Sequence, residues 1–244
     1  MSDLESNAGA GAKPRRRPYL VSFSGIDGAG KTTQIDGLLT ALQNAGLKVR
    51  LLRFWDDIAV AGGARETLSH KLFKSEKGVG SPDKPVQRRD KNVRAWYMTV
   101  ARLLLYLLDA ARLTFMIATA SRKDADVVIF DRYLHDQLVN LDLRNPATRA
   151  YAHFLLNLVP RPDIAFLLDA DPVQARARKP EYPPEFLQSS RASYLALAQS
   201  TGMSIIEPLA PEDVARSILN RVPRASLLSA AGRGRLLLTD LTSK

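Results

Sequence analysis

The 244-residue chain is 45% hydrophobic, with three histidines and no cysteine. That is enough for one α/β domain with a buried core, and it excludes disulfides and thiolate metal sites and leaves little material for a structural zinc. The formal charge of +10 favours polyanionic partners, whether nucleotides, nucleic acid or an anionic membrane, without choosing among them.

Residues 1–18 carry Lys13, Arg15, Arg16 and Arg17 with no apolar core ahead of Pro18. This reads as a basic, disordered tail and not as a secretory signal, and a cytoplasmic location is expected. Five short apolar, β-branched runs then recur, at 19–24, 47–53, 126–130, 163–168 and 203–206. Stretches with helical spacing separate them, so the expected fold is α/β: a five-stranded parallel sheet flanked by helices in three layers. The first helix should start near Lys31, run through Leu38, Leu39 and Leu42, and end at Gly46 as a left-handed cap. Residues 75–90 lack periodicity and are rich in lysine, glycine and proline, the marks of a long mobile loop. The apolar segment 100–120 is interrupted by Arg102, Asp109 and Arg112, leaving no charge-free run of the ~20 residues a membrane span needs. Steps of seven and three residues suggest that these three charges share one helix face. Asp171-Pro172 is a helix start, because the carboxylate can accept free N–H groups and proline tolerates the first position. A lid is expected near 176–186, the core domain ends near 223, and 224–244 is a C-terminal extension that reads equally as an extra helix or a tail.

The strongest signal is Gly25-Ile-Asp27-Gly28-Ala29-Gly30-Lys31-Thr32, which fits G-x-x-x-x-G-K-[ST] between a strand and a helix. Four constrained positions would arise by chance on the order of once in a hundred chains. Glycines at 25, 28 and 30 let backbone N–H groups converge on phosphate oxygens, Lys31 adds a point charge, and Thr32, followed by Thr33, can set a hydroxyl on Mg²⁺. ATP and Mg²⁺ are therefore the expected cofactors. Asp131 ends an apolar strand, where a carboxylate can organise the metal, and Arg132 beside it can clamp a phosphate bidentately. Arg176 and Arg178 follow the fourth strand, as mobile cations closing over a transferring phosphoryl group would. No convincing general base is present, and a phosphate acceptor, already ionised near neutral pH, needs none.

These segments resemble the thymidylate kinase family of nucleoside monophosphate kinases over about 200 residues from Tyr19 to Val222. The likeness is carried by residues 23–34, by Phe130-Asp-Arg-Tyr133, and by Leu168-Asp-Ala-Asp-Pro172 through Arg176 and Arg178 to Arg191-Ala-Ser-Tyr194. The resemblance implies a homodimer formed by helix packing and nucleotide substrates. By position, Lys31, Asp131, Arg132, Arg176 and Arg178 would be catalytic, with Thr32 and Asp131 on the metal. Arg53, Phe54, Arg112, Arg132 and Tyr133 would meet the acceptor. The sequence departs from the family where Ser24 replaces an acidic residue, where Arg53-Phe54-Trp55 replaces the usual acceptor motif, and at Thr114, near a common glutamine. These departures keep open a kinase for another phosphorylated or hydroxylated metabolite. A nucleic-acid-associated ATPase is disfavoured, because the aromatic and basic residues are not interleaved.

Overall fold

A computed structural model describes residues 17–60, 96–122 and 125–222. The expected loop at 75–90, most of the N-terminal tail and the C-terminal extension lie outside those residues. The sheet has five parallel strands in the order β2-β3-β1-β4-β5, with β1 at Tyr19–Ser24, β2 at Val49–Arg53, β3 at Val127–Asp131, β4 at Ile164–Leu168 and β5 at Ser204–Ile206. All six residues of β1 are buried, as a central strand covered on both faces requires.

Alternation along the strands divides the core in two. Val21, Phe23, Ile129 and Phe166 face helices α1 (Lys31–Asn44) and the last helix, Pro211–Arg221, through Ile35, Leu38, Leu42 and Ile218. Leu20, Val128, Phe130 and Leu167 face the opposite layer, built from α2 (Trp96–Arg122), α3 (Leu134–Leu138), α4 (Pro146–Leu158) and α6 (Pro184–Thr201). The short α5 (Pro172–Arg178) follows β4, and Pro211–Arg221 is α7. This is the expected three-layer α/β fold.

The expected punctuation is present. Gly46 has φ 78°, its N–H bonds the Gln43 carbonyl at 2.8 Å and the Leu47 N–H bonds the Leu42 carbonyl at 3.1 Å, a left-handed closure of α1. Asp171 accepts the N–H groups of Val173 and Gln174, each at 3.0 Å, ahead of Pro172.

Helix α2 corrects the expected common stripe of charges. By length and composition its segment Val100–Ala120 could cross a membrane, yet it packs into the domain. Asp109 is wholly buried, accepting the Val60 N–H at 2.7 Å and the Gln137 side-chain amide, whereas Arg112 is exposed. A three-residue step turns about 60° short of a full circle, enough to carry Arg112 out of the buried arc formed by Tyr106, Ala110, Leu113 and Ile117.

Candidate active site

The carboxyl ends of β1, β3 and β4 converge, and the turn after β1 forms the floor of the cleft. Gly25, Gly28 and Gly30 have φ of 144°, 83° and 84°. At Gly28 a side chain is excluded twice over, by the positive φ and by the Ala175 carbonyl of α5, which a Cβ would overlap. α5 therefore lies directly against this turn, and Arg178 Nη1 donates to the Gly28 carbonyl at 3.0 Å. The neighbouring Arg176 has a buried Nε with no protein acceptor. Of the two arginines expected to act from a lid, Arg178 thus touches the glycine turn.

Lys31 opens α1 and is buried. Its Nζ donates to the carbonyls of Gly25 at 2.8 Å and Ile26 at 2.9 Å. Burial, and then the charge of Arg132, lower its pKa to about 8, while Asp27, Asp136 and Asp131 pull the other way. Thr32 and Thr33 are exposed on the first turn of the same helix.

Asp131 closes β3 in register with Phe23 of β1 and Arg53 of β2. Arg53 is exposed at the sheet edge, with its N–H on Asp57 Oδ2 at 2.7 Å, where the chain turns into the π-helical segment Phe54–Ile58. Arg132 has φ 70°, left-handed backbone in a residue other than glycine, and its N–H bonds the Phe23 carbonyl at 2.9 Å. Its guanidinium pairs with Asp27 through Nη2 and with Asp136 Oδ1 through Nη1 at 3.3 Å, and Nη1 also reaches the Tyr194 hydroxyl at 3.4 Å. Burial opposes this charge, but the surrounding acids, Asp136 foremost, outweigh it and raise the pKa.

Three expected acceptor residues do not line the cleft together. Phe54 and Tyr133 are fully buried in the core, and the Tyr133 hydroxyl donates to the Pro160 carbonyl. Each is a packing residue of the same buried cluster, with Tyr133 edge-on to Phe130. Arg112 is on the exposed side of α2, as described above. Thr114 bonds the carbonyls of Ala110 and Leu158, joining α2 to the end of α4.

Sequence reasoning missed Asp136 and Tyr194. The four-residue step from Arg132 to Asp136 was a signal available for the first. Tyr194 lies 62 residues from Arg132, and although Arg191-Ala-Ser-Tyr194 carries part of the resemblance, no local pattern marks its contact with Arg132. A bidentate pair between Arg191 and Asp169, both bonds at 2.7 Å, fixes α6 to the end of β4 and so brings Tyr194 to the cleft.

A glycine turn feeding a helix, a lysine in its mouth and an aspartate on the adjoining strand define a P-loop phosphotransferase of the nucleoside monophosphate kinase class. No protein-family model matches the chain. It is 29% identical over 230 residues to a thymidylate kinase of Chlorobaculum parvum, covering 82% of this chain and 94% of the relative. It is 28% identical over 190 residues to one from Bifidobacterium longum (73% and 83%), and 26% identical over 222 residues to a protein of Pyrobaculum aerophilum named "Probable thymidylate kinase" (84% and 96%). The chain is thus similar to thymidylate kinases over most of its length.

Proposed function

We propose that the chain transfers the γ-phosphoryl group of ATP to dTMP, giving dTDP and ADP. The observation that carries this reading is the convergence of the 25–30 turn, Lys31 and Arg132 at the carboxyl edge of the sheet. The turn's N–H groups and Lys31 would hold the β- and γ-phosphates, and Arg132 would meet the acceptor phosphate or the transferring group. The orphaned Nε of Arg176 suits a phosphate oxygen, and Arg178 would follow it as the lid closes.

The donor set fits magnesium. Thr32 would supply a hydroxyl and Asp131 a carboxylate, hard oxygen ligands that leave room for phosphate and water. The ion, when bound, offsets charge on the phosphates. The acceptor oxygen is already ionised near neutral pH, so no residue need take its proton. Arg53 is retained as an acceptor-side cation because its Cα pairs with that of Asp131 across the sheet. A cytoplasmic location accompanies this reading.

An assay of ADP release across nucleoside monophosphates is the direct test. The expected result is preferential stimulation by dTMP; its absence, with another monophosphate active, would remove dTMP as the acceptor.

We further infer a homodimer. Leu104, Leu108 and Phe115 are exposed along one side of α2, and Phe154 and Leu158 are exposed on α4, which packs against it. Such exposed apolar residues suit helix packing against a second copy. Leu108→Glu should shift the mass found by light scattering from dimer to monomer, and a monomeric parent would overturn the inference.

A further inference from the structure

Arg132 has two acidic partners, and they are unequal. The Asp136 side chain is completely buried, whereas those of Asp27 and Arg132 retain 24% and 19% of their exposure. Asp136 is also held on every side. Its Oδ2 accepts the Ser24 hydroxyl at 2.6 Å and the Tyr133 N–H at 3.1 Å, and its Oδ1 accepts the Tyr194 hydroxyl at 2.7 Å and Arg132 Nη1 at 3.3 Å. Two carboxylate oxygens offer about four acceptor directions, and here four donors fill them.

A carboxylate so held is a fixed acceptor, reached from β1, from the start of α3 and from α6. The donor it holds belongs to a residue whose backbone is already in a sparsely populated left-handed conformation. Strain of that kind persists where surrounding contacts over-determine it. Asp27, by contrast, sits in the phosphate turn itself, at the solvent-reachable end of the guanidinium.

We propose that Asp136, braced by Ser24 and Tyr194, is the positioning residue for Arg132, and that Asp27 is the exchangeable partner which a bound phosphate displaces. The first contact keeps Nη1 in place through the cycle, and the second masks Nη2 until an anion of higher charge arrives. The proposal rests on the phosphotransferase reading only in needing a phosphate ligand, and its first test needs no turnover.

The experiment is NMR of the protein labelled with ¹⁵N-arginine, with the Arg132 side-chain signals assigned by their loss in Arg132→Lys. In the ligand-free parent the Arg132 Nη groups should rotate slowly enough to be resolved. Asp136→Asn presents an amide donor to a site made of donors, and should collapse those signals. Asp27→Asn should keep the Nη1 signal, and inorganic pyrophosphate should move the Nη2 signal in the parent. In turnover, Asp136→Asn should lower kcat by about tenfold to a hundredfold, the range expected when a reacting group loses its alignment, with the KM for ATP within about twofold.

Tyr194→Phe removes one brace with little change of volume, and should give the same kcat-selective loss at about threefold to tenfold. It keeps the test valid should Asp136→Asn fold poorly. Unchanged Arg132 signals and kcat in both variants would overturn the proposal, as would loss of the Nη1 signal in Asp27→Asn with retention in Asp136→Asn. A parent that fails to use dTMP but shows these signals would refute the acceptor assignment and leave the positioning role standing.

Discussion

Around Lys31 the cleft is made of backbone, and around Arg132 it is made of side chains. The donor half is a continuous stretch, residues 25–32, whose glycines take up positive φ and whose lysine folds back on two carbonyls of its own turn. The acceptor half gathers Ser24, Arg132, Asp136 and Tyr194 from stretches far apart in sequence, and reaches Asp27 of the donor turn through Arg132. Backbone geometry of the first kind is written as a local pattern of residue types. Side-chain geometry of the second kind depends on which distant elements the sheet order makes neighbours.

The largest expected effect falls on the donor half. Lys31→Ala should reduce kcat by about a thousandfold or more, since a preorganised charge facing the transferring group contributes on the order of 4 kcal/mol. The fold should not suffer. The lysine pKa is lowered to about 8 chiefly by burial, so the charged form is less favourable in the folded protein than in the unfolded chain. That penalty sets in as pH falls from about 10.5 towards 8 and is fully present below 8. Removing the lysine should leave the thermal midpoint unchanged or raised at pH 7, measured by scanning calorimetry. In the parent, kcat/KM for ATP should decline as pH rises through about 8, when the free enzyme loses the ammonium. A flat profile to pH 9.5 would contradict the lowered pKa, and a falling midpoint in Lys31→Ala would make the lysine a structural residue.

Asp109 supplies the complementary case, in which a charged residue near the cleft is structural. Asp109→Ala leaves the Val60 N–H and the Gln137 amide without their carboxylate acceptor inside the domain. A loss of about 3 kcal/mol is expected, or roughly 10 °C in thermal midpoint for a chain this size. Asp109→Asn, which can still accept, should lose less. If Asp109→Ala were as stable as the parent and lost activity instead, the distinction between the buried anchor and the cleft residues would fail.

The same contrast explains what could be read before the structure. The strands, the phosphate turn, the Gly46 closure and the Asp171 cap were legible because each is a local rule: apolar runs, a residue that tolerates positive φ, a carboxylate beside proline. Lys31, Asp131, Arg176 and Arg178 were singled out by their places at the ends of those elements, and Lys31 and Arg178 do contact the turn. Phe54 and Tyr133 were misassigned because an aromatic next to a charged motif reads alike whether its ring enters the cleft or the core, and only the packing around Phe130 separates the two. Arg112 was grouped with Asp109 by a periodicity coarse enough to blur the edge of a buried arc. Tyr194 was legible only as part of the family resemblance, since its contact with Arg132 joins residues 62 apart and is fixed by the Arg191–Asp169 pair.

The smallest expected effect tests whether the donor half is as self-contained as its sequence suggests. Gly28 and Gly46 have nearly equal φ, 83° and 78°, but a Cβ at Gly28 meets the Ala175 carbonyl whereas one at Gly46 meets nothing within 4 Å. Alanine at either position should cost about 1 kcal/mol of stability through the left-handed backbone alone. Only Gly28→Ala should also push α5 from the turn, loosening the Arg178 contact on the Gly28 carbonyl and raising the KM for ATP by about tenfold. Gly46→Ala should leave that KM within twofold. Equal KM values in the two variants would mean that α5 moves freely over the turn, and that the donor site is assembled by residues 25–32 without help from the lid.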